Sequence, residues 1–300
     1  VNTGDEVIQV VCGAPNARTG LKGVFAPSGT HVPGIDLTLI QPDDHLDAPE
    51  QIAAGEIDLA ITEPLHLVAD RAEGKPLVGF ARFLHTNGGV MVLERSGIRR
   101  PADLVGKRIQ YPGAPGPGGT AIVCTMAQHD GAPCSPNDFE PVNFGFEHTK
   151  ALETNAADAA TLVFYNFEVV EAQERGLRPT YFPLKSFGVP DFCQLHFIAD
   201  EQRLAHDQAV FRRLVGVLRR GIDFIQEHPE EAWTLYKRFA KQEQSDRLSD
   251  RIYHATIGSF CHDLSMSSMY WDRLIEWMVR TDQIKKPISA NPCFDNRFAF

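Results

Sequence analysis

The stretch Ala53-Ala54-Gly55-Glu56-Ile57-Asp58-Leu59-Ala60-Ile61-Thr62-Glu63-Pro64-Leu65-His66 constrains this chain most. It reads as a helix end, a tight glycine turn, a buried strand, and a polar strand end that opens a second helix. Gly55 can take the left-handed conformation that stops a helix. Ile57, Leu59, Ala60 and Ile61 form the short apolar run of a strand covered on both faces. Thr62 and Glu63 then fall where the strand gives way to the helix. In open α/β sheets that carboxyl edge is where ligands bind. The same pattern also fits an ordinary strand-to-helix turn with no ligand.

The rest of the chain repeats this alternation. Strand patterns fall at 6–12, 35–40, 59–62, 76–84 and 88–93, with helices at 49–54 and 64–72 and a glycine-rich, unconvincing helix at 17–32. The helix at 64–72 places Leu65, Leu67, Val68 and Ala72 on one face. The pattern then restarts. A helical turn at 99–104 leads to strands at 107–111, 139–143, 160–165 and 180–184, with helices at 120–129, 148–155 and 167–175 and a Pro/Gly loop at 112–119. One more strand, 194–199, precedes a helical tail at 208–228, 229–240, 250–262 and 269–281. Ile252, Ala255, Ile257 and Phe260 in one of these, and Trp271, Leu274, Ile275 and Met278 in the last, are spaced as core stripes. Two βα-alternating halves, then a strand and helices, predict an α/β protein whose parallel-type sheets carry helices on both faces.

Several function classes are excluded. Residues 113–119 (GAPGPGG) lack the G-x-G-x-x-G order of a dinucleotide site, and their prolines remove amide donors. There is no P-loop lysine and no G-x-S-x-G elbow. A formal net charge of -10 argues against nucleic acid as a partner. No apolar run approaches the ~20 residues that span a bilayer. With 43% hydrophobic and 23% charged residues, the 300-residue chain is expected to fold, and it is long enough for two α/β lobes. Residues 1–5 lead directly into a strand pattern without a basic-then-apolar leader. The protein is therefore expected outside the cytoplasm if a signal was removed, and in the cytoplasm if residue 1 is the true start. The six cysteines, Cys12, Cys124, Cys134, Cys193, Cys261 and Cys293, have no metal-site spacing and read as free, buried residues. A Cys124–Cys134 bridge stays open. No histidine shows the i, i+4 pairing with an acid of a zinc site, and no metal is expected.

Specific stretches then point to a family. Gly34-Ile35-Asp36-Leu37 resembles its second strand, and 52–61 its "hydrophobic-x-x-Gly-x-hydrophobic-Asp-hydrophobic" signature. Ser96-Gly97-Ile98 through Gly106-Lys107-Arg108-Ile109 is similar to its "SGI…DLKGKKI" passage into the second lobe. Gly188-Val189-Pro190-Asp191-Phe192 resembles its return crossing, and Phe294-Asp295-Asn296-Arg297-Phe298 its C-terminal "F-T-N-x-F". In order and spacing these resemble type II periplasmic binding proteins of the NMT1/THI5-like group. That group holds thiamin-pyrimidine and alkanesulfonate binders and the yeast-type hydroxymethylpyrimidine synthases.

The resemblance implies a two-lobe type II periplasmic-binding-protein fold with central mixed sheets, two hinge crossings and a helical C-terminal segment. Residues 1–89 with 190–300 would form one lobe and residues 90–189 the other, closing on a small ligand. It also bears on chemistry. The synthases carry a lysine that binds pyridoxal phosphate (PLP), followed four residues later by a reactive histidine; those positions here are Thr62 and His66. Threonine cannot form a Schiff base, and of the synthases' cysteine-rich run only Phe192-Cys193 remains. The expectation is therefore a solute-binding protein without a cofactor, acting as a monomer with a small heterocyclic ligand and, in uptake, an ABC-transporter permease. A thiamin pyrimidine precursor is the best single guess. The alternative is a cytoplasmic enzyme of the synthase-like branch, or a decarboxylase or desulfinase on the same fold.

A flat heterocycle wants aromatic faces and a few placed donors and acceptors. Candidates at predicted strand ends are Asn16, Thr62, Glu63 and His66 in the first half and Thr86 and Asn87 at the first crossing. Tyr111, Gly118, Thr120 and Asn166 follow in the second half, and Phe187, Asp191 and Phe192 at the return crossing. The loop from Gly116 to Thr120 opens a helix, whose first amides can receive an anion.

Overall fold

The computed structural model describes residues 8–12, 37–40, 48–192, 194–239 and 247–300. Two five-stranded sheets form its frame. The first is built from β1 (Ile8–Cys12), β2 (Leu37–Ile40), β3 (Leu59–Thr62), β4 (Leu77–His85) and β10 (Gln194–Asp200). The second takes β5 (Gly88–Leu93), β6 (Arg108–Gln110), β7 (Glu140–Val142), β8 (Ala159–Phe164) and β9 (Pro179–Pro183).

Their orders are β2-β1-β3-β10-β4 and β7-β6-β8-β5-β9. In each sheet three strands pair in parallel, and a fourth is inserted antiparallel before the edge. In each the inserted strand is the one that has just arrived from the other sheet. The chain leaves the first sheet at the end of β4 and enters the second as β5. It leaves the second at β9 and returns as β10. Gly89 sits at this first arrival. A side chain there would lie 2.6 Å from the Phe182 carbonyl oxygen and against the Tyr181 ring, so only glycine lets β5 run this close to β9.

Helices cover the sheets: α1 (Ala48–Ala53), α2 (Pro64–Ala72), α3 (Pro117–His129), α4 (His148–Glu153), α5 (Val170–Glu174), α6 (Glu201–His206), α7 (Gln208–Glu227), α8 (Pro229–Phe239), α9 (Arg247–Thr256) and α10 (Ser268–Arg280). On α7 the residues Phe211, Leu214, Val215, Leu218, Ile222 and Ile225 are buried, a helical stripe against β4 and β10. On α10 the expected stripe is buried and Trp277 joins it. Trp277 Nε1 donates to Thr125 Oγ1 of α3 at 3.0 Å, and α10 also packs on α2. One apolar cluster thus runs from α1 and α2 through α10 to α3. Among the described residues no helix is long and apolar enough to cross a membrane.

The structure differs from the sequence reading at several places. The helix expected at 250–262 ends at Thr256 and tightens into a 3-10 turn over Ile257–Ser259. Its stripe therefore breaks. Ala255 is exposed, and Tyr253 is buried instead, stacked on Trp233 at 4.6 Å with its hydroxyl donating to the Pro229 carbonyl at 2.6 Å. Ala72 is exposed at the end of α2. The unpredicted α6 is opened by Asp200, whose carboxylate accepts from the Gln202 and Arg203 amides at 2.9 and 3.0 Å. The weak helix at 17–32 lies outside the described residues. Cys124, Cys134, Cys261 and Cys293 are free thiols, so the Cys124–Cys134 bridge is not formed.

Candidate functional site

β3 is buried along its whole length, and α2 starts two residues after it with Pro64 at the first helical position. Glu63 is the residue between, in extended backbone, and its side chain makes no capping bond. It is fully buried, and neither carboxyl oxygen has a hydrogen-bond partner among the described residues. Burial, reinforced by the nearby Glu168, pushes its carboxyl up to about 8. Thr62 is buried beside it, and its hydroxyl lies 3.5 Å from Nδ1 of the half-buried His66 one turn along α2.

β8 supplies the facing edge. Its pairing with β5 is irregular between Gly89 and Met91, and Leu162 sits there at φ 61°. That is the left-handed region an L residue avoids, and such bulges re-aim the residues that follow. A π-helical turn over Tyr165–Val169 comes next. It buries Asn166, Phe167 and Glu168 and leaves Tyr165 outside. Glu168 Oε2 accepts from the Phe164 amide at 2.8 Å. Thr86, on the crossing from β4 to β5, donates to Asn166 Oδ1, and Asn166 Nδ2 donates to Thr256 Oγ1 of α9 at 2.8 Å. Asn166 therefore ties the crossing, the second sheet and the C-terminal helices together.

The third part is the start of α3. The helix takes Pro117, Gly118 and Gly119, which the sequence places in a loop. Tyr111, buried at the end of β6, explains the glycine: a side chain on Gly119 would lie 2.6 Å from Tyr111 Cδ2 and closer still to Cγ and Cδ1. The Tyr111 hydroxyl donates to the Gly116 carbonyl at 2.6 Å and also engages the buried Thr120. Gly118 is half-buried near Gln283, beyond α10. Behind Tyr111, Gln110 donates to the Gly145 carbonyl at 2.6 Å and meets His148 Nδ1.

The other candidates are engaged elsewhere. Asn87 is exposed. Its carbonyl accepts from the Tyr165 amide at 2.9 Å and the Tyr181 hydroxyl at 2.6 Å, and its Oδ1 accepts from Lys185 at 2.7 Å. Asp191 lies 3.0 Å from His85 Nε2, holding the return crossing to the end of β4. It also borders a half-open groove of about 620 Å³ along α10. Phe187 packs edge-on against His129 and Phe182, at the opposite end of α3 from Thr120. Phe192 has no exposed surface and stacks on Trp277 at 6.0 Å. Both aromatics pack around α3 and α10. Asn16 lies outside the described residues.

Sequence reasoning passes over Glu168 and takes His196 only as one of three histidines, with His85 and His148, that could approach the cleft. His196, opposite Thr62 in the β3–β10 register, is fully buried against Trp271 at 5.3 Å, and neither ring nitrogen has a hydrogen-bond partner among the described residues. Burial, then Arg82 and His85, pulls it down to about 3, so the ring is neutral. The available signal was position: Glu168 just after a strand, His196 inside one that had to pair somewhere.

Among the described residues no group of three His, Cys, Asp or Glu stands close enough to hold a metal ion. Nor do the residues present fit PLP. Thr62 offers a hydroxyl where an amine is required, and no lysine is buried among the described residues.

The two sheets with a polar seam at their carboxyl edges define a protein of the periplasmic-binding-protein fold. The alkanesulfonate-binding protein SsuA from Xanthomonas axonopodis pv. citri, bound to MOPS, has this fold with a TM-score of 0.70, at 14% identity over 97% of this chain and 98% of that one. The profile of the NMT1/THI5-like family matches residues 32–232, and the chain belongs to that family. Two of its relatives carry different names. A 4-amino-5-hydroxymethyl-2-methylpyrimidine phosphate synthase from Legionella pneumophila is 27% identical, over 88% of this chain and 82% of its own length. A formylaminopyrimidine-binding protein from Halalkalibacterium halodurans is 24% identical, over 88% and 81%.

Proposed function

We propose that the protein is a solute-binding protein that captures a small nitrogen heterocycle, in the class of thiamin pyrimidine precursors, between its two sheets. Residues 1–89 with 190–300 and residues 90–189 act as the two lobes, and the crossings at 85–88 and 183–194 act as the hinge. The observation that carries this reading is the seam itself. Buried polar groups from both sheets meet there, with Thr86 bonded to Asn166 and Glu63 set against Glu168. A binding protein needs such convergence from two bodies that can separate, because contacts made only in the closed state drive closure. Thr62, Glu63, His66, Tyr111, Gly118, Thr120 and Asn166 line the cleft, and delivery to an ABC-transporter permease outside the cytoplasm follows from the role.

A synthase reading is favoured by the name of the Legionella relative and by His66, but it needs an amine at Thr62 that this chain does not have. Native mass spectrometry of the purified protein, followed by thermal-shift titration with aminopyrimidines, sulfonates, aromatic acids and PLP, separates the two. Binding only the native state at a hundred times Kd adds about 2.7 kcal/mol. A shift with an aminopyrimidine and none with PLP is the expected result. A PLP adduct, or turnover of a retained pyrimidine, would overturn the binder reading.

A further inference from the structure

Glu63 follows β3 and Glu168 lies in the turn after β8, each with no more than a few per cent of its surface exposed, and the charge of Glu168 reaches Glu63. A carboxyl buried without a partner and within the field of a second carboxyl resists ionisation. Their hydrogen bonding is unequal. Glu168 accepts the Phe164 amide, a bond that favours its charged form, while neither oxygen of Glu63 has a donor among the described residues. The proton therefore rests on Glu63, the carboxyl that burial and the charge of Glu168 raise. A protonated carboxyl presents an O–H donor beside a carbonyl acceptor.

We propose that Glu63 is the specificity-determining residue of the cleft, its carboxyl used as a paired donor and acceptor for the amidine edge of a planar heteroaromatic ligand. That edge is a ring nitrogen beside an exocyclic amino group. The O–H donates to the ring nitrogen, the carbonyl accepts from the amino group, and two parallel hydrogen bonds fix the ring in its plane. A ligand group carrying negative charge is turned away from this point by Glu168. Thr86 and Thr256 each bond one end of the Asn166 amide, whereas Glu63, like His196 opposite Thr62, has its bonding capacity unspent among the described residues, and of these two only Glu63 can present an O–H donor beside a carbonyl acceptor. A buried group of that kind discriminates strongly, because a ligand lacking the matching edge leaves it unpaired.

The inference rests on the proposed cleft as the ligand site, and the test keeps the two apart. Calorimetric titration of the full chain at pH 7 uses 4-amino-2-methylpyrimidine and 2-methylpyrimidine, which lacks the amino group. Wild type should bind the amino compound at least tenfold more tightly. Glu63→Gln, whose amide offers the same donor and acceptor, should bind it within about threefold of wild type. Glu63→Leu should lose about tenfold to a hundredfold and no longer distinguish the two compounds. Wild-type binding that ignores the amino group, or Glu63→Leu binding as wild type does, overturns the inference and leaves the cleft standing. So does Glu63→Gln failing as badly as Glu63→Leu, since the site would then need a carboxylate. If wild type binds neither pyrimidine and takes a sulfonate instead, the functional reading falls and this inference with it. The comparison of the two compounds on wild type needs no variant to fold.

Discussion

Replacing Glu63 by glutamine should leave stability nearly unchanged in mild acid and raise it progressively as pH increases. In the unfolded chain this carboxyl titrates near the ordinary 4.5, and in the folded protein it is pushed up to about 8 by burial and by Glu168. Between those two values the folded state holds a proton that the unfolded state has released. Stability from this group is therefore fully present below 4.5 and is lost as pH rises through 8. Each unit is worth about 1.4 kcal/mol, so the loss from pH 5.5 to pH 8 is about 3 kcal/mol. Glutamine has nearly the same shape and does not titrate, so it escapes the loss. A chain of 300 residues unfolds with an entropy of about 0.6 kcal/mol/K, so 3 kcal/mol corresponds to about 5 °C in Tm. The assay is thermal melting of both proteins in matched buffers from pH 5.5 to pH 8, read as the difference in Tm. That difference should grow with pH in favour of Glu63→Gln. A difference that stays constant across the window would refute the assignment of the proton to Glu63.

Three further outcomes can be checked by melting or chemical denaturation. His196 acts in the opposite direction. Its folded value of about 3 lies below the ordinary 6.5, so its contribution is present above 6.5 and lost as pH falls; from pH 6.5 to 5 wild type should lose about 2 kcal/mol that His196→Leu keeps. Gly119→Ala forces the Tyr111 ring aside and should cost about 1–3 kcal/mol by overpacking, seen as a lower denaturation midpoint with an unchanged slope. Asn166→Ala strips Thr86 of its acceptor and should cost about 1–3 kcal/mol. Adding Thr86→Val should recover part of this, a coupling that a double-mutant cycle measures directly.

The alternation of the two halves, β3 with α2, and the α10 stripe were legible because each is written in local chemistry. The apolar run of 59–61, the proline that opens α2 and the helical spacing of Trp271, Leu274, Ile275 and Met278 act within a few residues of themselves. Thr62 and Glu63 could be picked as strand-end candidates on the same grounds. Tertiary structure alone decided that β10 slides between β3 and β4, which sets the buried His196 beside Thr62. It decided that Phe187 and Phe192 serve the packing of α3 and α10. It also decided that Glu63 feels the charge of Glu168. A carboxylate's charge depends on what excludes water from it and which charge lies near it, and here that charge, Glu168, follows a strand of the sheet that the chain reaches only after crossing the molecule.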